Sequence, residues 1–341
     1  MSPANQPSSK PYRLYAHIGS PYSMKIRAIM RYRRLPHIVI SGYSELEAAH
    51  QQVKVKVIPI LEYPDGSFQN DSTPLLFDLE KRYKERSIIP EDEANAFLAF
   101  LIEDMADELL TKCMYAYRWA FPEHTRYAAE MIAFDHLMGS GRVQIEQVAA
   151  TFEARQIGRN SLVGCTPENM PLILHIANYF LDTMEAMVLN QPFLFGTRPS
   201  LADFAIFGQM SQYLFDLPAQ EPSRKRAPYT MRWLSHVHDL SGIEGEWRSG
   251  DEPLITAVSQ LLDLAGSVYL PFLVANAQAF ADGAEQFEIE VAGMAYGQRP
   301  FKYQVKCFAE LRKAYAALSA EARAKVDPIL EKHNCLAPLV N

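Results

Sequence analysis

The sequence changes character twice, and the first change, near residue 90, constrains the fold most. From Tyr12 to about Tyr83, short strand-like runs alternate with helical ones. Tyr12–Ala16 (YRLYA) is short and alternating, as a half-buried strand requires. Ser23–Arg34 places Ile26, Ile29 and Met30 at helical spacing, and Pro36 ends that helix. His37–Ile40 and Val57–Tyr63 read as further strands. The Asp65-Gly66 turn then lets Ser67–Gln69 pair back as a fourth. Thr73–Tyr83 reads as a helix with Pro74 near its start. This β-α-β then β-β-α order describes a small α/β unit over residues 11–88.

Beyond Glu91 the strand signals fade. Glu91–Trp119, Thr125–Arg155, Pro171–Asn190 and Ser200–Leu214 have helical spacing, with loops expected at Gly158–Pro171 and Pro218–Pro228. The second change is Ser241–Pro253, which carries three glycines and a proline and reads as a linker or exposed turn. Mostly helical sequence follows. The expected organisation is therefore an α/β domain at 11–88, an all-helical domain at 91–250 and a helical extension at 251–341.

Composition narrows the function classes. With 33 Lys and Arg against 40 Asp and Glu, the net charge of −7 gives no bulk attraction for nucleic acid or anionic lipid. No uninterrupted apolar run reaches the length of a membrane helix. The first residues, MSPANQPSSKP, have no apolar segment of a signal peptide and read as a disordered tail. Cys113, Cys165, Cys307 and Cys335 are widely spaced, so reduced thiols are expected rather than a disulfide framework or a metal site. A cytoplasmic protein without a metal is the expectation.

Four local features fall in a telling order. Gly19-Ser20-Pro21-Tyr22-Ser23 joins a strand to an amphipathic helix, with Ser20 able to cap it and Pro21 in its first turn. Ile58-Pro59 puts a proline inside an apolar strand run, which implies an edge, a bulge or a cis turn. Asn70-Asp71-Ser72-Thr73-Pro74 directly precedes a helix. Ser200 and Asp203 have capping-box spacing ahead of another apolar helix.

This arrangement resembles the cytosolic glutathione transferase family over about residues 11–250, with a serine-type site. The resemblance implies a thioredoxin-like N-terminal domain, then an all-α helical domain, here with extra C-terminal helices. It implies that Pro59 is the cis-proline and that Ser20 donates to the glutathione sulfur. Asp71 then pairs with the γ-glutamyl ammonium, Ser72 with its carboxylate, and the Ile58 backbone with the cysteinyl unit. Lys56 is the candidate for the glycyl carboxylate, although Lys54 and Lys56 also fit a solvated strand edge. The S-P-Y-S sequence lacks both thiols of a C-P-Y-C motif, which excludes dithiol chemistry. Tyr22 and Ser23 remain alternative thiolate donors to Ser20, whose plain reading is an N-cap.

Tyr115, Tyr117 and Trp119, with Tyr22, are the candidates for lining the electrophile pocket, against the alternative that aromatics at helical spacing are core. The implied activity is conjugation of glutathione, a co-substrate, to a small apolar or aromatic electrophile, as in detoxification, by a homodimer. Glutathione-dependent aryl-ether cleavage or dehalogenation uses the same thiolate. A non-catalytic carrier or scaffold is the alternative of a different class.

Overall fold

The computed structural model describes residues 10–340; residues 1–9 of the expected N-terminal tail, MSPANQPSSKP, lie outside the described residues. The N-terminal unit runs β1 (Tyr12–Tyr15), α1 (Pro21–Tyr32), β2 (His37–Ile40), α2 (Tyr43–His50), β3 (Ile60–Glu62), β4 (Phe68–Asn70) and α3 (Ser72–Arg82). Its sheet has the order β2-β1-β3-β4. β1 pairs parallel to β2, with Leu14 opposite Val39, while β3 runs antiparallel to both β1 and β4. This is the thioredoxin-like arrangement, reached because a crossover helix, α1, joins the parallel pair and a tight turn joins β3 to β4. The third strand is shorter than the apolar run suggests. The Ile58-Pro59 peptide is cis, and pairing begins only at Ile60.

The helical region comprises α4 (Glu93–Met105), α5 (Thr111–Trp119), α6 (Pro122–Leu137), α7 (Arg142–Ile157), α8 (Asn160–Val163) and α9 (Met170–Val188). It continues with α10 (Leu201–Met210), α11 (Leu217–Arg226) and α12 (Pro228–Val237). A π-helical segment, Ala106–Leu110, joins α4 to α5 without a break. Gly139 and Gly141, both at positive φ, divide the expected Thr125–Arg155 helix into α6 and α7. The expected loop at Pro218–Pro228 is instead α11, with Pro218 near its start and Pro222 inside it. The short α8 likewise lies within an expected loop. α10 carries the full capping box: Asp203 accepts from the Ser200 N–H at 2.8 Å and from the Leu194 N–H at 2.9 Å.

The last residues form α13 (Thr256–Leu264), α14 (Leu270–Ala281), β5 (Phe287–Val291), β6 (Met294–Gln298), α15 (Lys302–Ala316), α16 (Ala320–Lys332) and α17 (Leu336–Val340). The antiparallel β5–β6 hairpin was not expected from the sequence. Thr256–Ala281 is continuous and, by length and composition alone, apolar enough to cross a membrane. Two-thirds of that apolar window, 67%, is buried inside the fold, so core packing accounts for its composition. One cluster of buried side chains runs from Leu14 and Ile29 through Phe204 and Phe207 to Leu261, Leu311 and Leu330.

Candidate functional site

Ser20 sits at the sharp passage from β1 to α1. It caps the helix, its Oγ accepting from the Ser23 N–H at 3.3 Å, and Pro21 occupies the first helical position. Ser20 is buried, and accepting this bond leaves its hydroxyl proton available to an external acceptor. The loop that carries it is clamped by the helical region. Arg118 of α5 donates to the Gly19 carbonyl at 2.7 Å, and Gln212 donates to the Ile18 carbonyl at 3.1 Å. Arg118 is itself fixed by Asp216 at 2.9 Å and Gln212 at 2.5 Å, all three side chains being buried. α6 closes on the same loop so tightly that a Cβ on Gly19 would lie 2.9 Å from Ile132.

The other implied contacts come from the same end of the sheet, where Tyr15 at the end of β1 faces Ile60 at the start of β3, and Ile60 faces Asn70 at the end of β4. The cis Ile58-Pro59 bond precedes β3, and Lys56 is exposed in the loop before it. Asn70 ties that loop to the start of α3, donating to the Val55 carbonyl at 2.6 Å. Asp71 follows with a positive φ of 76°, a conformation that side chains other than glycine seldom adopt. Its carboxylate accepts from the Tyr303 hydroxyl of α15, at 3.0 and 2.9 Å to its two oxygens, and lies 3.7 Å from the Lys306 ammonium. Ser72 is buried, and its hydroxyl donates to Asp107 at 3.4 Å.

The N-terminal unit is also similar to a known family. Residues 14–87 match the family described as glutathione S-transferase, N-terminal domain. No curated protein matches the chain. Among solved structures, the beta-etherase LigF from Sphingobium sp. strain SYK-6 shares 18% identity, covering 74% of this chain and 99% of its own, at a TM-score of 0.47. A glutathione S-transferase from Methylobacterium radiotolerans JCM 2831, in complex with glutathione sulfonate, shares 16% over 72% of this chain and 100% of its own, at 0.40. A glutathione transferase family member from Pseudomonas fluorescens Pf-5, with bound glutathione, shares 14% over 66% and 93%, at 0.37.

Around the N-terminal unit, the remaining candidates divide. The Tyr22 hydroxyl donates to the Asp107 carbonyl at 3.0 Å and lies 3.2 Å from the Thr111 hydroxyl, so it is committed to the π-helical segment. The Ser23 hydroxyl is buried without a hydrogen-bond partner among the described residues. The aromatic trio is turned towards the helical interior. Trp119 packs edge-on against Phe152, Tyr117 stacks on Phe121 and meets Tyr213 edge-on, and Tyr115 donates to the Gln156 carbonyl at 2.8 Å. This placement differs from a shared pocket lining: an amphipathic helix buries its aromatic stripe first.

A charged layer between the N-terminal unit and the helices was not expected from the sequence. Lys25 of α1 is fully buried and contacts both Glu103 and Asp107, the latter at 2.6 Å. Burial opposes its charge, but the two carboxylates outweigh that and hold it above its ordinary pKa. Burial pushes the Glu108 carboxyl up to about 7, assisted by Asp107, and pulls Lys112 down to about 8. His17, also buried and therefore held neutral, packs edge-on against His136 at 4.6 Å. Each of these residues is unremarkable in the sequence. The available signal was a cluster of four acids, Glu103, Asp104, Asp107 and Glu108, within an otherwise apolar helix.

Proposed function

We propose that the protein is a glutathione-dependent transferase in which Ser20 stabilises the glutathione thiolate for attack on an apolar or aromatic electrophile. The observation that carries this reading is the setting of Ser20. Its hydroxyl caps α1 within a glutathione S-transferase N-terminal domain and keeps its proton for an external acceptor. A free thiol has a pKa near 8.5, so a largely ionised thiol at neutral pH requires a drop of roughly 2 units, or about 2.7 kcal/mol. A hydrogen bond to a charged group contributes about 1.5–3 kcal/mol, and a helix N-terminus about 0.3–1. Those two contributions are sufficient together. The peptide is held by Asp71 and Ser72 at its γ-glutamyl end and by Ile58 along its cysteinyl backbone, with Lys56 meeting the glycyl carboxylate.

In the reaction, the sulfur lone pair forms a C–S bond to the electrophilic carbon. A leaving group departs with its electron pair, or an activated double bond takes up the pair and then a proton. Aryl-ether cleavage and dehalogenation differ only in the leaving group. The same reading assigns a cytoplasmic homodimer, whose subunit number sedimentation tests. A second reading, a carrier that keeps the fold without turnover, draws on the commitment of Tyr115, Tyr117 and Trp119 to interior packing. Titration calorimetry with glutathione, followed by an electrophile panel with and without it, separates the two. Binding with turnover supports the transferase, and binding without turnover of any electrophile supports the carrier.

A further inference from the structure

The C-terminal extension reaches the γ-glutamyl end of the site through two residues one helical turn apart on α15, Tyr303 and Lys306. We propose that these residues complete a subsite for a zwitterionic α-amino-acid head group. Lys306 is the specificity-determining cation for its carboxylate, and Tyr303 is a positioning residue that holds Asp71 for its ammonium. This inference rests on the glutathione reading above and adds a part of the chain that lies beyond the matched domain.

The geometry supports it in three ways. First, Asp71 and Lys306 carry opposite charges side by side, yet their 3.7 Å separation is too long for a hydrogen bond. The side chains keep 25% and 56% of their exposure, so the pair faces water and is not sealed by its own contact. An α-amino-acid head presents an ammonium and a carboxylate on one carbon. Lying antiparallel to this pair, it meets each of its charges with an opposite one. Second, Asp71 is held in place. Its backbone has a positive φ, and Tyr303 donates to the carboxylate at 2.9–3.0 Å. Burial raises the Tyr303 pKa, so the hydroxyl remains a donor. An ionised carboxylate has about four acceptor positions, which leaves capacity for an incoming ammonium.

Third, Lys306 stands on a fixed element. Asn276 accepts from the Phe301 N–H at 2.8 Å at the head of α15, and Phe308 and Leu311 bury the helix in the core. The Lys306 ammonium lies 5.3 Å from the Tyr303 ring centre, within cation–π range, which orients it towards Asp71.

The test is titration calorimetry at low salt on the full chain, comparing glutathione with cysteinylglycine, which has the same thiol and glycyl end but no γ-glutamyl unit. Lys306→Gln should weaken glutathione about three- to ten-fold and leave cysteinylglycine unchanged. Tyr303→Phe should lower the same preference, whatever its effect on thermal stability. An unchanged glutathione-to-cysteinylglycine ratio in both variants would overturn the inference. So would tighter glutathione binding, which would make α15 a plug. If the parent protein binds no glutathione at millimolar concentration, the transferase reading falls together with this one. Parent binding with unaltered variants overturns this inference alone.

Discussion

The Lys25 ammonium in α1 lies 2.6 Å from the Asp107 carboxylate in the π-helical segment, both side chains being buried where the N-terminal domain meets the helices. Glu103 takes the same ammonium from the other side, and Thr73 donates to Glu103 at 2.7 Å. One cation thus joins α1 and α4, and Thr73 adds the start of α3.

Removing that cation leaves two carboxylates in the interior without their counter-charge. Lys25→Met should therefore destabilise the protein by about 3–5 kcal/mol. Adding Asp107→Leu to that variant should restore part of the loss. Urea unfolding of the two single variants and the double variant measures the coupling; additive losses would show that the pair is not interacting.

Glu108 makes stability pH-dependent. Its folded pKa of about 7 is raised by burial above the ordinary carboxyl value near 4.5. The folded state therefore holds a proton that the unfolded state releases between those two values. This stabilisation is fully present below about pH 4.5 and is lost as pH rises through about 7, a change on the order of 3 kcal/mol. Glu108→Gln should flatten the fall in melting temperature across that window; an unchanged pH profile would assign the slope to other groups.

Asp203 closes the capping box of α10 and also accepts from the Leu194 N–H. Asp203→Ala leaves buried backbone donors unpaired and should cost about 2–4 kcal/mol, whereas Ser200→Ala should cost about 1–2. Thermal or urea unfolding of both variants checks the order.

Residues 251–341 pack on the helical region at several points. Tyr269 donates to Asp104 at 2.6 Å, Phe97 meets Tyr315 edge-on at 5.8 Å, and Ser319 donates to Glu93 at 2.5 Å. Ending the chain at Gly250 should expose apolar surface on α4 and give aggregation or a clearly lowered melting temperature. A soluble truncated chain of equal stability would make the extension an independent module.

The parts of this architecture that were legible in the sequence are those encoded locally. Ser20-Pro21 starts α1, Ile58-Pro59 marks the cis turn, and Ser200 with Asp203 starts α10, because capping and proline geometry act over a few residues. α11 was not legible, since Pro218, Pro222 and Pro228 together read as a loop. Pro218 sits where no intrahelical N–H is needed, and the loss at Pro222 is a single bond. The β5–β6 turn was hidden because its first central residue is Ala292, at a φ of 51°, before Gly293 at 70°. Asn or Asp is the usual sign of such a turn. The Lys25–Asp107, Arg118–Asp216 and Asp71–Tyr303 contacts span 82, 98 and 232 residues, a separation at which no spacing rule operates.

Ser20 is expected to lower the pKa of bound glutathione. Ultraviolet thiolate absorbance, titrated from acid to alkaline pH on parent and Ser20→Ala proteins saturated with glutathione, tests it most directly. The parent should ionise the bound thiol mostly below neutral pH. Ser20→Ala should move ionisation back towards the free value near 8.5 and lower turnover roughly 10–1000-fold, with a much smaller loss of binding. An unshifted thiolate titration in Ser20→Ala would rule out this role for Ser20 and assign activation of the sulfur to Ser23 or to the backbone N–H groups of α1.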